Sequence, residues 1–148
     1  MPNFSGFSGD SFFAGQQSGT AVRAAAALTS SYVAMSSFST IGYRFANIFV
    51  NVESLGGGIT SIEMEYQASP DALTATPTNW AIVAFEDVDR TTGVGTLRLP
   101  YSQTQPITGT GYYLFAVELR WGPWFRPLIK GTGTLTSSSV SASVLLWA

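Results

Sequence analysis

GYYLFAVELRWGPWFRPLIKG, residues 111–131, is the stretch whose reading decides the fold. From Tyr112 to Trp121 the side chains sort into two alternating sets. Tyr113, Phe115, Val117, Leu119 and Trp121 share one face; Tyr112, Leu114, Ala116, Glu118 and Arg120 share the other. An extended backbone sends successive side chains to opposite faces, so this is a strand. The alternation leaves open which face is the core. Gly122 and Pro123 then turn the chain. Trp124 to Gly131 returns as a second strand, in which Pro127 points to an edge or a bulge.

The same period runs outward from this hairpin. Tyr43 to Val52 is strand-like, with Ile48, Val50 and Val52 on one face. In Ser61 to Gln67, Ile62, Met64 and Tyr66 point one way and Glu63, Glu65 and Gln67 the other. Val140 to Trp147 closes the chain, with Val140, Ala142, Val144 and Leu146 together. Trp80 to Phe85 is a compact apolar strand and Val94 to Leu99 a short one. A further strand is expected from Leu28 to Met35, whereas the alanines of Val22 to Ala27 favour helix and leave that segment ambiguous. SLGGG (54–58), SPDALTATPT (69–78), EDVDRTTG (86–93) and PYSQTQPITGTG (100–111) read as turns and loops, and GTGTLTSSS (131–139) as a loop or weak strand start. About eight strands at this spacing, with no βαβ pattern, predict an all-β protein. Its expected form is a single-domain antiparallel β-sandwich, jelly-roll-like, over residues 20–148.

Residues 1–19 read as an extended N-terminal arm. MPNFSGFSGDSFFAGQQSG mixes glycine and serine with Phe4, Phe7, Phe12 and Phe13. Such a strip either orders on a partner through its aromatic anchors or folds back onto its own domain.

Composition narrows the function classes. Charged residues make up 11% of the chain, against a usual value of about 25%. Seven basic and nine acidic residues leave a net charge of −2, and Lys130 is the one lysine. A surface this poor in charge resists association weakly, which suits an assembly component. Seven dispersed cations make no basic stripe, so nucleic acid is not an expected partner. No apolar run reaches the ~18–20 residues of a membrane-spanning helix, and no membrane partner is expected. Met1 to Asp10 lacks the pattern of a signal peptide, so synthesis in the cytoplasm is expected.

The chain has neither histidine nor cysteine. Ser–His–Asp and Cys–His catalysis, the usual zinc sites and disulfides are all excluded. Glu63 and Glu65 share a strand face opposite the apolar one, where solvated carboxylates belong, rather than flanking a sugar as a catalytic pair does. Glu86, Asp87 and Asp89 crowd a turn without the spacing of a calcium loop. No catalytic, cofactor or metal residue is expected. The aromatics are the more suggestive feature. Phe115 and Trp80 suit a core, whereas Trp121 and Trp124, flanked by Arg120 and Arg126, suit a protein interface.

The Phe-bearing arm, the segment ALTSSYVAMSSFSTIGYRFANIFVNVESLGGG, the SPD loop followed by NW, and the tail RWGPWFRPLIKGTGTLTSSSVSASVLLWA resemble small virion proteins of tailed bacteriophages. Within that group the chain is most similar to capsid decoration, or cement, proteins of jelly-roll or β-sandwich type. The resemblance is one of composition and strand order from about residue 20 onward, and no sharp motif carries it. It implies a virion protein on the capsid surface, present as a homotrimer or dimer, that bridges major capsid protein subunits and strengthens the shell. The protein-interface residues expected are Phe4, Phe7, Phe12, Phe13, Arg120, Trp121, Trp124 and Arg126. The alternatives are a low-copy tail, neck or fibre-associated virion protein, and a carbohydrate-binding module that uses Trp121, Trp124 and nearby tyrosines.

Overall fold

A computed structural model describes the backbone of residues 19–88 and 95–148 and the side chains of residues 19–84 and 101–148. The expected arm, with Phe4, Phe7, Phe12 and Phe13, lies outside the described residues except for Gly19, as do the side chains of Glu86, Asp87 and Asp89.

The described residues form strands and no helix, an all-β sandwich-like fold. The strands are β1 (Thr20–Ala26), β2 (Val33–Ala34), β3 (Phe38–Ser39), β4 (Phe45–Leu55), β5 (Gly58–Ser69) and β6 (Ala81–Ile82). They continue as β7 (Ala84–Val88), β8 (Gly95–Pro100), β9 (Ser102–Pro106), β10 (Gly111–Glu118), β11 (Trp124–Thr134) and β12 (Ser138–Trp147). One sheet runs β9-β5-β11-β2, with β3 also on β11 and β6 on β5; the other runs β10-β4-β12-β1. All pairings are antiparallel. Chain order therefore crosses between the sheets at β1 to β2, β3 to β4, β4 to β5, β9 to β10, β10 to β11 and β11 to β12. That order of eight strands in two sheets is the jelly roll. Residues 70–100, with β6 and the β7–β8 hairpin, are inserted between β5 and β9.

One buried cluster takes its side chains from the inner faces of both sheets. Ile48, Val50 and Val52 of β4, Ile62, Met64 and Tyr66 of β5, and Val140 of β12 are all 0% exposed. β10 contributes Phe115 and Val117, which settles its faces: the odd-numbered residues are the core side and Tyr112 and Leu114 point outward. Phe125 stacks on Tyr66 at 5.4 Å and lies tilted against Phe38 at 5.8 Å. The tight β4–β5 turn requires Gly56, which has φ 58°; a Cβ there would sit 2.3 Å from the Thr136 carbonyl oxygen.

Several expectations need correction. Val22 to Ala27 is mostly strand, because β1 pairs along β12 and that pairing outweighs the small helix preference of alanine. Leu28 to Met35 contains only the two-residue β2. Residues 100–111 include the strand β9, a polar run that pairs with β5 from Ser102 to Pro106. Glu86 to Val88 belongs to β7, not to the turn. Gly131 to Thr134 completes β11, and Ser138 already opens β12. Trp80 is not in the core: it is half-buried on the outside of a sheet.

Pro127 is not on an edge strand. It pairs with Tyr66, in a strand flanked on both sides. Its carbonyl accepts the Met35 N–H at 2.8 Å, so its donorless nitrogen faces the same neighbour. That neighbour is the one split into β2 and β3, as expected where a ladder donor is missing.

Candidate interaction surface

The two ends of the sandwich differ. Short turns close one end, at residues 56–57, 107–110 and 135–137. At the other end β10 finishes, β4 begins with Phe45, β12 finishes with Trp147, β11 begins with Trp124, and the 70–100 insertion leaves β5. Sequence order scatters these residues over about a hundred positions, and antiparallel pairing gathers them.

Arg120 and Trp121 lie here, between β10 and β11. Trp121 is 38% exposed. The Arg120 guanidinium stands over its ring at 4.8 Å and makes a long contact, 3.4 Å, with Glu118. Both charged side chains are mostly in water, so this ion pair serves orientation more than stability. Trp121 borders two open pockets. One, about 330 Å³, lies against Ala84, Tyr101 and Val117; the other, about 320 Å³, lies against Ser69, Pro70 and Ile82. A smaller pocket of about 80 Å³ continues through Arg120, Glu118 and Leu119 to Arg44 and Phe45.

Trp124 and Arg126 face a different way and have partners within the chain. Trp124 Nε1 donates to the Ala72 carbonyl at 3.2 Å. Arg126 Nε donates to Gln67 Oε1 at 2.7 Å, and its guanidinium lies 4.2 Å over the Trp80 ring. Together they clamp the start of the insertion onto the outside of β5 and β11. Asp71 tightens that loop. Its carboxylate accepts the Asn79 side-chain amide at 2.9 Å and the Thr78 and Asn79 backbone N–H groups at 2.7 and 3.0 Å. These bonds pull its pKa down to about 2, Asn79 contributing most.

Glu63 and Glu65 lie on the same outer face, as their alternation predicts. Lys130 Nζ meets Glu63 Oε1 at 3.0 Å and stands 4.7 Å from the Tyr32 ring. The Lys130 hydrogen bond holds Glu63 below the usual carboxylate range. Burial, with the Glu65 and Glu63 carboxylates, pushes the Tyr32 hydroxyl up. Among the described residues no three acidic, histidine or cysteine side chains could hold a metal ion.

The outer face of the other sheet was missed by the sequence reading. Its register places Phe45 beside Trp147, Asn47 between Ala116 and Leu145, and Phe49 between Leu114 and Ser143. Phe45 and Trp147 stack at 4.8 Å. Tyr112 is 72% and Leu114 45% exposed. The available signal was apolar residues on both faces of β4, β10 and β12, where a one-sided sheet shows only one.

Glutamines close the edge between the sheets. Gln103 Nε2 donates to the Ala116 carbonyl at 2.8 Å, and Gln105 Nε2 to the Leu114 carbonyl. Gln103 Oε1 accepts the Tyr66 hydroxyl at 2.5 Å. Carbonyls on the free edge of β10 are thus met by side chains of β9, which blunts that edge. No protein-family model matches the chain, and no curated protein or solved structure matches it.

Proposed function

We propose that this chain is a structural virion protein that binds the outside of a tailed-phage capsid and stabilises the shell by bridging major capsid protein subunits. One observation supports this reading above the others: the jelly roll presents Arg120, Trp121, Phe45 and Trp147 at one end, beside open pockets. Tryptophan and arginine bordering a pocket are the side chains that most often anchor protein interfaces. Contacts of this kind, repeated over a closed lattice, gain strength through multivalency.

A sugar-binding platform is less well supported at Trp121, because Arg120 already covers one face of the indole. The deciding experiment is quantitative mass spectrometry of purified particles. Copies comparable to the major shell protein support the reading. A few copies per particle would move the protein to the tail or neck, and absence from particles would overturn the virion reading.

A further inference from the structure

The cations of the described residues differ in how their charge is met. Lys130 meets Glu63, Arg126 donates to Gln67, and Arg23 donates to the carbonyls of Val140, Ala26 and Ala27. Arg120 is paired with Glu118. Arg44 is the exception: its side chain is exposed, stands 5.7 Å over the Phe45 ring, and forms no ion pair among the described residues. Its backbone is nonetheless fixed. The Arg44 N–H donates to the Trp147 carbonyl at 3.1 Å, and the Arg44 carbonyl accepts the Leu119 N–H at 2.8 Å. These bonds extend the ladder of β12, β4 and β10 past Phe45 and set Arg44 beside the residues that leave β10.

There it shares a pocket with Arg120. The two arginines, with Phe45, Glu118 and Leu119, line a slot of about 80 Å³, room for the end of one side chain. Arg120 reaches Glu118 through Nε at 3.4 Å, a long contact. A guanidinium also donates from its terminal nitrogens, so Arg120 keeps donors beyond that pair, and Arg44 keeps all of its own. Two guanidiniums and one carboxylate leave one net positive charge around the slot, which a single added carboxylate balances. The pocket of about 330 Å³ shares Arg120 and Glu118 with this slot and adds Ala84, Tyr101, Val117 and Trp121. Its added lining is aromatic and aliphatic, which suits an apolar side chain.

We infer that Arg44 and Arg120 hold a carboxylate of a partner protein, whose neighbouring apolar side chain enters the pocket beside Trp121. The apolar side chain displaces water from the slot, which strengthens the charged hydrogen bonds inside it. A phosphate-bearing partner suits the site less. Glu118 opposes a second negative charge, and the dispersed cations of this chain make no stripe for a polyanion. This deepens the proposed function and rests on this end of the sandwich being where a partner protein docks.

The test titrates the ¹⁵N-labelled full-length chain with two capped dipeptides, acetyl-leucyl-glutamyl amide and acetyl-leucyl-glutaminyl amide, followed by NMR. The acidic probe should shift the Arg44 and Arg120 Nε–H and Trp121 indole N–H resonances. It should bind at least about fivefold tighter than the neutral probe, because a charge-assisted hydrogen bond outweighs a neutral one. Arg44→Gln, at an exposed side chain outside the core, should abolish that preference and leave binding of the neutral probe unchanged. Equal binding of the two probes, shifts at other residues, no binding, or a preference that survives Arg44→Gln overturns the inference. Methyl phosphate binding there as tightly as the acidic probe does the same. Copy number in particles separates this from the virion reading. A preference for the acidic probe in a protein absent from particles sinks the virion reading alone; shell-like copy number without that preference sinks this inference alone.

Discussion

On the β9-β5-β11 sheet the outward rows pair Glu63 with Lys130, Gln67 with Arg126, and Ser69 with Trp124. On the β10-β4-β12 sheet the corresponding rows are Glu118, Phe45 and Trp147, then Ala116, Asn47 and Leu145, then Leu114, Phe49 and Ser143. The backbone geometry of the two sheets is alike. In the first, Glu63 meets Lys130 and Gln67 meets Arg126, and the insertion is clamped over the sheet by Trp124 and Arg126. The second is mixed: Phe45, Phe49, Leu114, Leu145 and Trp147 lie among Asn47, Ser143 and Glu118, which pairs with Arg120. Polar groups that satisfy one another leave little for a partner to gain, whereas exposed apolar area is a standing driving force for docking. The contrast separates the face that holds the protein's own loop from the face available for contacts.

The largest expected effect tests what the two faces share. Phe125→Ala, at a side chain 0% exposed and packed on Tyr66 and Phe38, should destabilise by about 3–5 kcal/mol. Urea unfolding should show one transition for both sheets; two separate transitions would mean that the faces belong to independent units.

The next effect belongs to the polar face alone. Glu63→Gln should cost about 1 kcal/mol or less, since both partners in the Lys130 pair keep roughly 30% of their side-chain surface in water. Lys130→Met should cost a similar amount and should not add to it, which a double-mutant cycle reads directly.

Acid should act on the polar face by the same logic. Glu63 and Asp71 are both held below their ordinary pKa in the folded chain. A lowered pKa means that the unfolded chain binds the proton more readily. Their stabilisation is therefore complete above the unfolded value, near 4, and is lost as pH falls through the folded value, about 2 for Asp71. The melting temperature should drop across that interval, and Asp71→Asn should flatten the drop. An equal drop in the Asp71→Asn variant would remove Asp71 from the account.

The smallest stability effect, and the sharpest contrast, lies on the apolar face. Leu114→Ser is expected to change stability by no more than about 0.5 kcal/mol, because the side chain is 45% exposed. On the virion reading proposed above, binding to particles should nonetheless weaken. A stability loss of several kcal/mol would show that Leu114 is packed internally.

How much of this was legible in the residues depends on whether burial wrote it there. The inner faces of β4, β5, β10 and β12 were readable because half-buried strands must alternate. β9 was not: SQTQP carries its function in glutamine amides that reach β10, and hydrogen-bonding side chains at an edge produce no apolar period. The β1 alanines were ambiguous because their preference is small beside a pairing to β12 about 120 positions away. Arg120, Trp121, Trp124 and Arg126 were singled out by residue type alone, and their different surroundings could not be told apart. Neighbours in sequence share composition, and only the direction of each side chain separates the exposed Trp121 from the loop-clamping Trp124 and Arg126.

The sequence by itself determined an all-β chain, its main strands and the inward side of most of them, because alternation is a local consequence of the extended backbone. It also excluded thiol and imidazole chemistry by lacking both groups. Tertiary structure alone decided the strand order, the interrupted neighbour of Pro127, and the gathering of Phe45, Arg120, Trp121 and Trp147 at one end. Those depend on which distant strands pair, and pairing is settled by the summed packing of two sheets rather than by any one segment.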